Sequence, residues 1–229
     1  MPQIKTLLCT GGEIHDFGAC GDAIERILRQ DDSFDVTRAS ARWVTEQKWV
    51  DGQMTDVTRV VNDHLPCLEA PKIAPYDLIV FYHTVGSITD AQKNGLLNWV
   101  AGGKAYVGIH SAADSFRECP EYRAMVGGWF VTHPSYRQYQ VSTVDPAHPI
   151  TKDLVEFFVT DEMYVTDYDP RVKVLCSSLW KGEKMPVAWT KDWGKGKVYW
   201  LALGHDPAAC KQDIFKTLLV RGCLWAAQK

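Results

Sequence analysis

The sequence predicts an α/β protein with an open, mainly parallel sheet flanked by helices and an added antiparallel strand region. In the first half, apolar runs of strand length alternate with stretches of helical periodicity, which is typical of parallel strands joined by right-handed crossovers. In the second half, strand-like runs follow one another without helices between them. A helix with an apolar stripe closes the chain.

The first half contains strands and helices that the apolar pattern delimits. Its predicted strands are residues 4–9, residues 34–39, residues 77–82 and the run that begins at Lys104. A helix with one apolar face is predicted at residues 19–30. The next helix starts after Thr89, a good N-cap residue, and ends at Gly102-Gly103.

The second half is predicted to add a meander and to return to the buried sheet. The predicted strands are residues 137–144, 155–165, 172–178, 186–190 and 197–203, followed by a helix at 212–227. Residues 41–75 are the least regular part, and we expect them to form an insertion, helical or lid-like. Since no Pro/Gly-rich linker divides the chain, residues 1–229 are predicted to be a single domain.

The composition indicates a globular protein with a small-molecule partner. The 229 residues are 46% hydrophobic and 23% charged, which excludes a disordered chain. A net charge of −3 without a basic cluster argues against nucleic-acid and membrane partners. The N-terminus lacks the pattern of a signal peptide, so a soluble cytoplasmic protein is expected. Seven scattered cysteines without a CxxC pair argue against disulfides and a structural zinc site.

A histidine occupies the sharpest turn that the sequence predicts. The run from Lys104 to Asp114 indicates a buried strand that stops at Gly108-Ile-His110-Ser. In hydrolase-type α/β folds, such a strand-to-helix turn lifts a Ser or Cys nucleophile above the carboxyl edge of the sheet. Because this chain has an imidazole there, we expect a functional position without covalent chemistry on a thiol or hydroxyl.

Further histidines follow other strands. His83, His110 and His205 each lie at the end of a predicted buried strand, and His15 lies in the loop after the first strand. The carboxyl ends of strands in an open α/β sheet converge on one crevice. His133 lies on a loop whose direction the sequence does not give. The pattern therefore predicts a histidine-lined site at this edge of the sheet.

Carboxylates accompany these histidines. The acidic candidates are Asp16, Asp114, Asp161, Glu162 and Asp206. In an extended segment Asp161 and Glu162 point to opposite faces, and Tyr164 shares the face of Glu162. Histidines and a carboxylate around one cleft suit a catalytic Zn²⁺ or Mn²⁺ ion, but a metal-free His–Asp acid–base pair uses the same residue types.

Several motifs together resemble the ThuA-like (trehalose utilisation) family, whose fold is similar to that of class I glutamine amidotransferase domains. The matching segments are Gly11-Gly-Glu-Ile-His15-Asp16, Gly108-Ile-His-Ser-Ala112, Gly127-Gly128-Trp-Phe-Val-Thr-His133-Pro134, His148-Pro149-Ile150-Thr151, Asp161-Glu162-Met-Tyr164, Pro186-Val-Ala-Trp189, Gly204-His205-Asp206 and the helix with Trp225. These segments span most of the chain in the family's order. Residues 41–75 look longer than the family's usual link.

The resemblance implies a sugar ligand and disfavours one familiar reaction. In the amidotransferase relatives the strand-end turn holds a Cys nucleophile and the last strand supplies a His. Here the turn holds His110, and Gly204-His205-Asp206 resembles the other element. Glutamine hydrolysis through a thioester is therefore not expected. The family's association with trehalose and with 3-keto sugars implies a sugar or keto-sugar ligand.

These observations lead to one leading hypothesis. We expect an enzyme, either a lyase, a hydrolase or an isomerase, that processes a glycoside or 3-keto-glycoside by acid–base chemistry with a divalent metal, Zn or Mn. The expected metal ligands are His15, His133, Glu162 and His205, the catalytic groups are His110, Asp16 and His205, and the substrate-binding residues are His83, Trp129, Tyr164, Trp189 and Asp206. No nucleotide cofactor is indicated.

Two alternatives and one assembly question accompany this hypothesis. A non-catalytic sugar-binding or regulatory protein would keep the cleft without the chemistry. A metal-free hydrolase would use His110 and an activated water. Apolar residues near Trp43 and Trp49 leave room for a homo-oligomer contact.

Overall fold

A mixed sheet of nine strands organises residues 2–228, which the computed structural model describes. Met1 and Lys229, the ends of the predicted domain, lie outside the described residues. The strands are β1 (Ile4–Gly12), β2 (Phe34–Ser40), β3 (Arg42–Val50), β4 (Gln53–Val61), β5 (Leu78–Thr84), β6 (Ala105–Ile109), β7 (Gly128–Thr132), β8 (Arg137–Thr143), β9 (Phe157–Asp161), β10 (Val165–Tyr168), β11 (Lys173–Trp180), β12 (Glu183–Trp193) and β13 (Gly196–Leu201).

Within residues 2–228, six α-helices and two short 3₁₀ helices connect or follow these strands. The α-helices are α1 (Phe17–Arg29), α2 (Ala70–Ile73), α3 (Asp90–Ala101), α4 (Pro120–Val126), α5 (Pro207–Cys210) and α6 (Asp213–Ala227), and the 3₁₀ helices are Leu65–Leu68 and His110–Asp114. Thr89 caps α3 as predicted, and a capping box with Gln92 completes the cap. None of the described helices is long and apolar enough to cross a membrane.

The sheet has a parallel half and an antiparallel half, as the sequence predicts. The strand order is β2-β1-β5-β6-β13-β12-β11-β8-β9. Neighbours from β2 to β13 pair in parallel, and the pairs from β13 onward are antiparallel. Every residue of β5 and β6 is buried, because helices cover both faces of this half. The parallel strands therefore deliver their carboxyl ends to one edge, where the candidate site lies.

Residues 41–75 differ from the predicted helical insertion. Strands β3 and β4 form a separate two-stranded antiparallel ribbon, followed by short helical turns. Val50 pairs with Gln53 across a two-residue loop, Asp51-Gly52, in which both residues have positive φ. Asp-Gly is a strong signal for this type of hairpin turn, and the alternation of Val and Thr around it favours strands. The prediction gave too little weight to both signals.

The predicted strand at residues 155–165 is two strands with a break between them. β9 ends at Asp161, and β10 begins at Val165 and pairs with β7 in a second small sheet. The three residues of the break include Glu162 and Tyr164, so their side chains leave the strand geometry where the candidate site begins.

Candidate functional site

Four side chains from different parts of the chain meet at the carboxyl edge of the sheet. They are His15, His110, Glu162 and His205, and one potential ligand atom from each lies within 4.8 Å of those of the others. The first three are at most 9% exposed, whereas the His205 side chain is 28% exposed. The group is therefore largely shielded from water and open on the side of His205.

His110 occupies the sharp turn that the sequence predicts. Its φ of +48° is rare for a residue with a side chain, and it comes directly after β6 as the chain enters a 3₁₀ helix. Gly108 makes the turn sterically possible, because a Cβ there would lie 2.9 Å from Tyr106 Cε1 and 3.1 Å from Ala112 Cβ. The local geometry thus resembles a nucleophile turn that carries an imidazole.

His15 is held between two tight turns. Its backbone N–H donates to Glu13 O (2.9 Å) around Ile14, whose φ is +79°, so these residues form a γ-turn of the strained type. Phe17 N donates to His15 O (2.9 Å) around Asp16, which has the φ and ψ of an inverse γ-turn. Backbone strain of this kind is typical of functional sites, where the surrounding structure maintains it.

A buried carboxylate joins the segments that carry Glu162 and His205. Asp161 is fully buried and accepts hydrogen bonds from the backbone N–H groups of Gly204 (2.7 Å), His205 (3.1 Å) and Glu162 (2.8 Å). Asp161 and Glu162 point in different directions, as the extended segment predicts. One carboxylate fixes the backbone, and the other enters the histidine group.

The histidine nitrogens that face Glu162 lack hydrogen-bond partners. His110 Nδ1 donates to Ala202 O (2.6 Å), so Nε2, which carries a lone pair when the ring is neutral, faces Glu162 Oε2 at 3.5 Å. His205 Nδ1 lies 2.9 Å from the same oxygen, but its direction does not satisfy a hydrogen bond. Both nitrogens are buried and unpartnered. A proton or a divalent cation on these nitrogens would complete their contact with the carboxylate.

His15 contributes a third nitrogen. Its Nδ1 lies 2.7 Å from Thr84 Oγ1, and its ring is 4.9 Å from the His110 ring and 5.0 Å from the His205 ring, centre to centre. Because Thr84 occupies Nδ1, Nε2 is the nitrogen of His15 available to a ligand. Three imidazoles and one carboxylate are a donor set that suits Zn²⁺ or Mn²⁺.

The shifted pKa values of Glu162 and His15 favour the protonation states that bind a cation. Burial raises the pKa of Glu162, but His110 and His205 outweigh burial and hold this pKa well below its ordinary value. Burial together with the neighbouring imidazoles lowers the pKa of His15 to about 3. Burial lowers the pKa of His205, but the adjacent Glu162 carboxylate raises it overall. At neutral pH the site therefore holds an ionised carboxylate beside a neutral His15.

Aromatic and polar residues form the rim of the site. His133 Nε2 lies 3.4 Å from the outer oxygen of Glu162, Oε1, and the side chain is 37% exposed. Tyr136 places its ring 5.6 Å from that of His205, and Phe130 lies 5.8 Å from His133 and 4.5 Å from Tyr164, between ring centres. The exposed side thus combines an imidazole with aromatic surface.

The sequence also matches a family of known proteins over nearly its whole length. A family model described as ThuA, trehalose utilisation, matches residues 5–226. The chain belongs to the ThuA family. No curated protein matches this chain.

Solved structures share the fold of this ThuA-family chain. A ThuA-like protein from Parabacteroides merdae has a TM-score of 0.83 at 21% identity, covering 99% of this chain and 91% of that one. A ThuA-like protein from Bacteroides uniformis has a TM-score of 0.74 at 18% identity, covering 98% and 91%. A cytoplasmic protein from Salmonella typhimurium has a TM-score of 0.64 at 16% identity, covering 97% and 99%. At these identities the likeness establishes the α/β fold.

In this ThuA-family chain, His110 lies within the group of four potential ligands, and His133 lies beside that group. His110, expected to be an acid–base group, is fully buried within the group of four potential ligands. His133, expected to be a ligand, lies outside that group at the exposed oxygen of Glu162. His15, Glu162 and His205 are where the prediction placed them, in one site.

Other predicted site residues of the ThuA-family chain lie elsewhere. His83 ends β5, but strand alternation turns its ring to the opposite face, where it packs on Phe81 and Phe116. Trp189 is fully buried and donates to Val126 O. These placements differ from the expected contact of both residues with a ligand.

Three further residues of the predicted site make contacts that stabilise local structure. Trp129 lies under Arg123 in a cation–π contact, with 6.0 Å from the guanidinium carbon to the ring centre. Asp16 and Asp206 are the N-caps of α1 and α5, and each accepts a hydrogen bond from the backbone three residues on. Of the predicted substrate-binding residues, Tyr164 packs directly on the site, 4.1 Å from the His110 ring.

The prediction missed Thr84 and Ser111, which support the site, and named Asp161 as an acidic candidate without giving it a role. All three are buried: Thr84 contacts His15, Ser111 contacts Thr84, and Asp161 accepts from backbone N–H groups that include that of His205. A strand-end position next to a predicted site histidine was the available signal for Thr84 and Ser111, because adjacent residues at a strand end face different sides.

Proposed function

We propose that this ThuA-family protein is a divalent-metal-dependent enzyme that acts on a glycoside or 3-keto-glycoside by acid–base chemistry. The observation that carries the proposal is the convergence of His15, His110, Glu162 and His205, including two buried nitrogens without partners. The family description, trehalose utilisation, supports a disaccharide-type substrate.

The donor set fits a metal better than a proton relay. His110 uses its Nδ1–H in a hydrogen bond to Ala202 O. Its other nitrogen, Nε2, faces Glu162 and carries a lone pair when the ring is neutral. A divalent cation bound among these donors would polarise a carbonyl or hydroxyl oxygen of the sugar. The revised ligand set therefore includes His110 in place of His133.

His133 is the best-placed group for proton transfer. Its side chain is 37% exposed on the open side, and Nδ1 donates to Pro134 O (2.8 Å). This contact leaves Nε2 to exchange a proton with a substrate or with Glu162 Oε1. A His–carboxylate pair that is in contact with substrate on one side is a common acid–base arrangement.

The rim provides a surface for a sugar ring. The Tyr136 hydroxyl, which contacts Asp206 Oδ1 (3.4 Å), and the face of Phe130 flank His133 and His205. Aromatic faces pack against the apolar face of a sugar, while hydroxyl and imidazole groups bind its polar edge.

Turnover before and after chelation tests the proposal. We expect the metal-loaded protein to convert a 3-keto-disaccharide, EDTA to abolish conversion, and Zn²⁺ or Mn²⁺ to restore it. Glu162→Gln should be inactive, whereas Glu156→Gln, a change at an exposed Glu of the same region, should retain activity.

Two other results would replace the proposal. Sugar-induced thermal stabilisation without any product, for the metal-loaded protein and a panel of disaccharides, would favour a binding or regulatory protein. Activity that survives EDTA would favour a metal-free hydrolase.

A further inference from the structure

We infer that Thr84 is a positioning residue that fixes the tautomer of His15, with Ser111 setting the direction of its hydroxyl. The inference rests on the proposed function in one respect, since the fixed tautomer is the one a metal requires. The contacts that carry it are His15 Nδ1 to Thr84 Oγ1 (2.7 Å) and Thr84 Oγ1 to Ser111 Oγ (2.7 Å).

The direction of the first hydrogen bond follows from the second. Thr84 has one hydroxyl hydrogen and donates it to Ser111 Oγ. Thr84 Oγ1 can therefore only accept from His15, so the hydrogen of the neutral imidazole lies on Nδ1. Nε2 then carries the lone pair and faces the site.

Burial makes this arrangement the dominant one. Thr84 is 1% exposed and Ser111 is fully buried, so water does not compete for either hydroxyl. The reverse order, in which Thr84 would donate to His15 Nδ1, does not match the geometry, because Thr84 Oγ1 donates its single hydrogen to Ser111 Oγ. His15 is itself buried, and in the neutral form of its ring only one nitrogen holds a hydrogen.

The two hydrogen bonds of His15, Thr84 and Ser111 also connect three structural elements of the site. Thr84 is the last residue of β5, Ser111 follows His110 at the sharp turn, and His15 lies in the strained loop after β1. The two hydroxyl groups thus link His15 to the turn that carries His110. In metal sites, such outer partners orient the ligand and contribute about 10–100-fold in affinity.

Two variants separate the hydroxyl from the shape of the side chain. Thr84→Val removes the acceptor, so the His15 hydrogen should move to Nε2 and metal affinity should fall about 10–100-fold. Thr84→Ser keeps the hydroxyl and should bind metal like the unchanged protein. Ser111→Ala should let Thr84 donate to Nδ1 of His15, which gives the same tautomer change without altering either residue.

The readouts are imidazole ¹⁵N signals of the metal-free protein at neutral pH and Zn²⁺ titration by calorimetry. Loss of a signal set in His15→Gln assigns the His15 ring. Thr6→Val, at a buried threonine whose hydroxyl contacts Ile4 O on β1, is the matched control and should change neither readout.

The outcomes distinguish this inference from the proposed function. An Nδ1–H tautomer that persists in both Thr84→Val and Ser111→Ala, with unchanged metal affinity, would overturn the inference and leave the metal site standing. A tautomer change in these variants, without metal binding by any form of the protein, would support the role of Thr84 and overturn the metal proposal.

Discussion

Two adjacent carboxylates have different roles because the backbone sends their side chains in different directions. Asp161 binds three backbone N–H groups, and Glu162 faces the histidines. Alternation along an extended segment predicts this separation from sequence. It does not predict which carboxylate enters the site, because that depends on the loop at Gly204 and His205, which is distant in sequence.

Replacing Asp161 tests its structural role. Asp161→Asn exchanges one acceptor oxygen for an NH₂ group that faces backbone donors. Since hydrogen bonds to charged groups contribute about 1.5–3 kcal/mol each, we expect the free energy of unfolding in urea to fall by about 3 kcal/mol. Asp35→Asn, on the exposed face of β2, is the control. A change for Asp161→Asn as small as that of the control would disprove the role.

The contact between His205 and Glu162 predicts that two contributions to stability change in opposite directions with pH. One is the contribution of the contact itself in the metal-free protein, and the other is the contribution of a bound metal. Because the pKa of His205 is raised overall, the contact stabilises the free protein below the unfolded pKa, and this stabilisation is lost as pH rises through the folded pKa. A bound metal requires His205 without its proton, so metal stabilisation grows over the same range.

Thermal unfolding at about pH 6 and about pH 8 checks this dependence. The increase in Tm on adding Zn²⁺ should be larger at pH 8 than at pH 6. His148→Gln, at a histidine that packs on Trp225 away from the site, should preserve the difference. An equal increase at both pH values would show that no titrating histidine binds the ion.

At the scale of elements, local patterns predicted the parallel strands well and the connections less well. Continuous apolar runs indicated β5 and β6 because both faces of these strands are buried. The break between β9 and β10 was not predicted, because apolar residues continue through it and tertiary contacts of Glu162 and Tyr164 interrupt the strand. The part of the site that Glu162 and Tyr164 form was thus predicted to be a continuous strand.

The ribbon of β3 and β4 projects from the body. Trp43 stacks on Phe17 at its base, with ring centres 5.5 Å apart, but none of residues 46–57 is buried. The cross-strand pair Trp49 and Met54 is 73% and 51% exposed. The homo-oligomer predicted from these apolar residues stays a prediction.

Shortening the ribbon tests its independence from the fold. Replacing residues 46–57 by Asn-Gly joins Thr45 to Thr58, which already pair, through a two-residue turn. Because the removed residues are not buried, we expect Tm to change by less than about 4 °C, or roughly 1 kcal/mol for a chain of this size. Loss of cooperative unfolding would show that the ribbon is part of the core.

At the scale of the whole molecule, the site combines residues that follow strands from both halves of the sheet. The parallel half supplies His15, His110 and His205 from the ends of β1, β6 and β13, and the antiparallel half supplies Glu162 after β9. The convergence of strand ends made the histidines predictable from sequence. The exchange of His110 and His133 was not predictable, because the direction of the loop after β7 depends on packing against Tyr164 and Glu162.

The metal content of the purified protein tests the central claim most directly. After metal-free protein is incubated with Zn²⁺ or Mn²⁺ and desalted, elemental analysis should find about one ion per chain in the unchanged protein and in Glu156→Gln. Glu162→Gln should retain little metal. No retained ion in the unchanged protein with either metal, or equal retention in Glu162→Gln, would contradict a metal site built from His15, His110, Glu162 and His205.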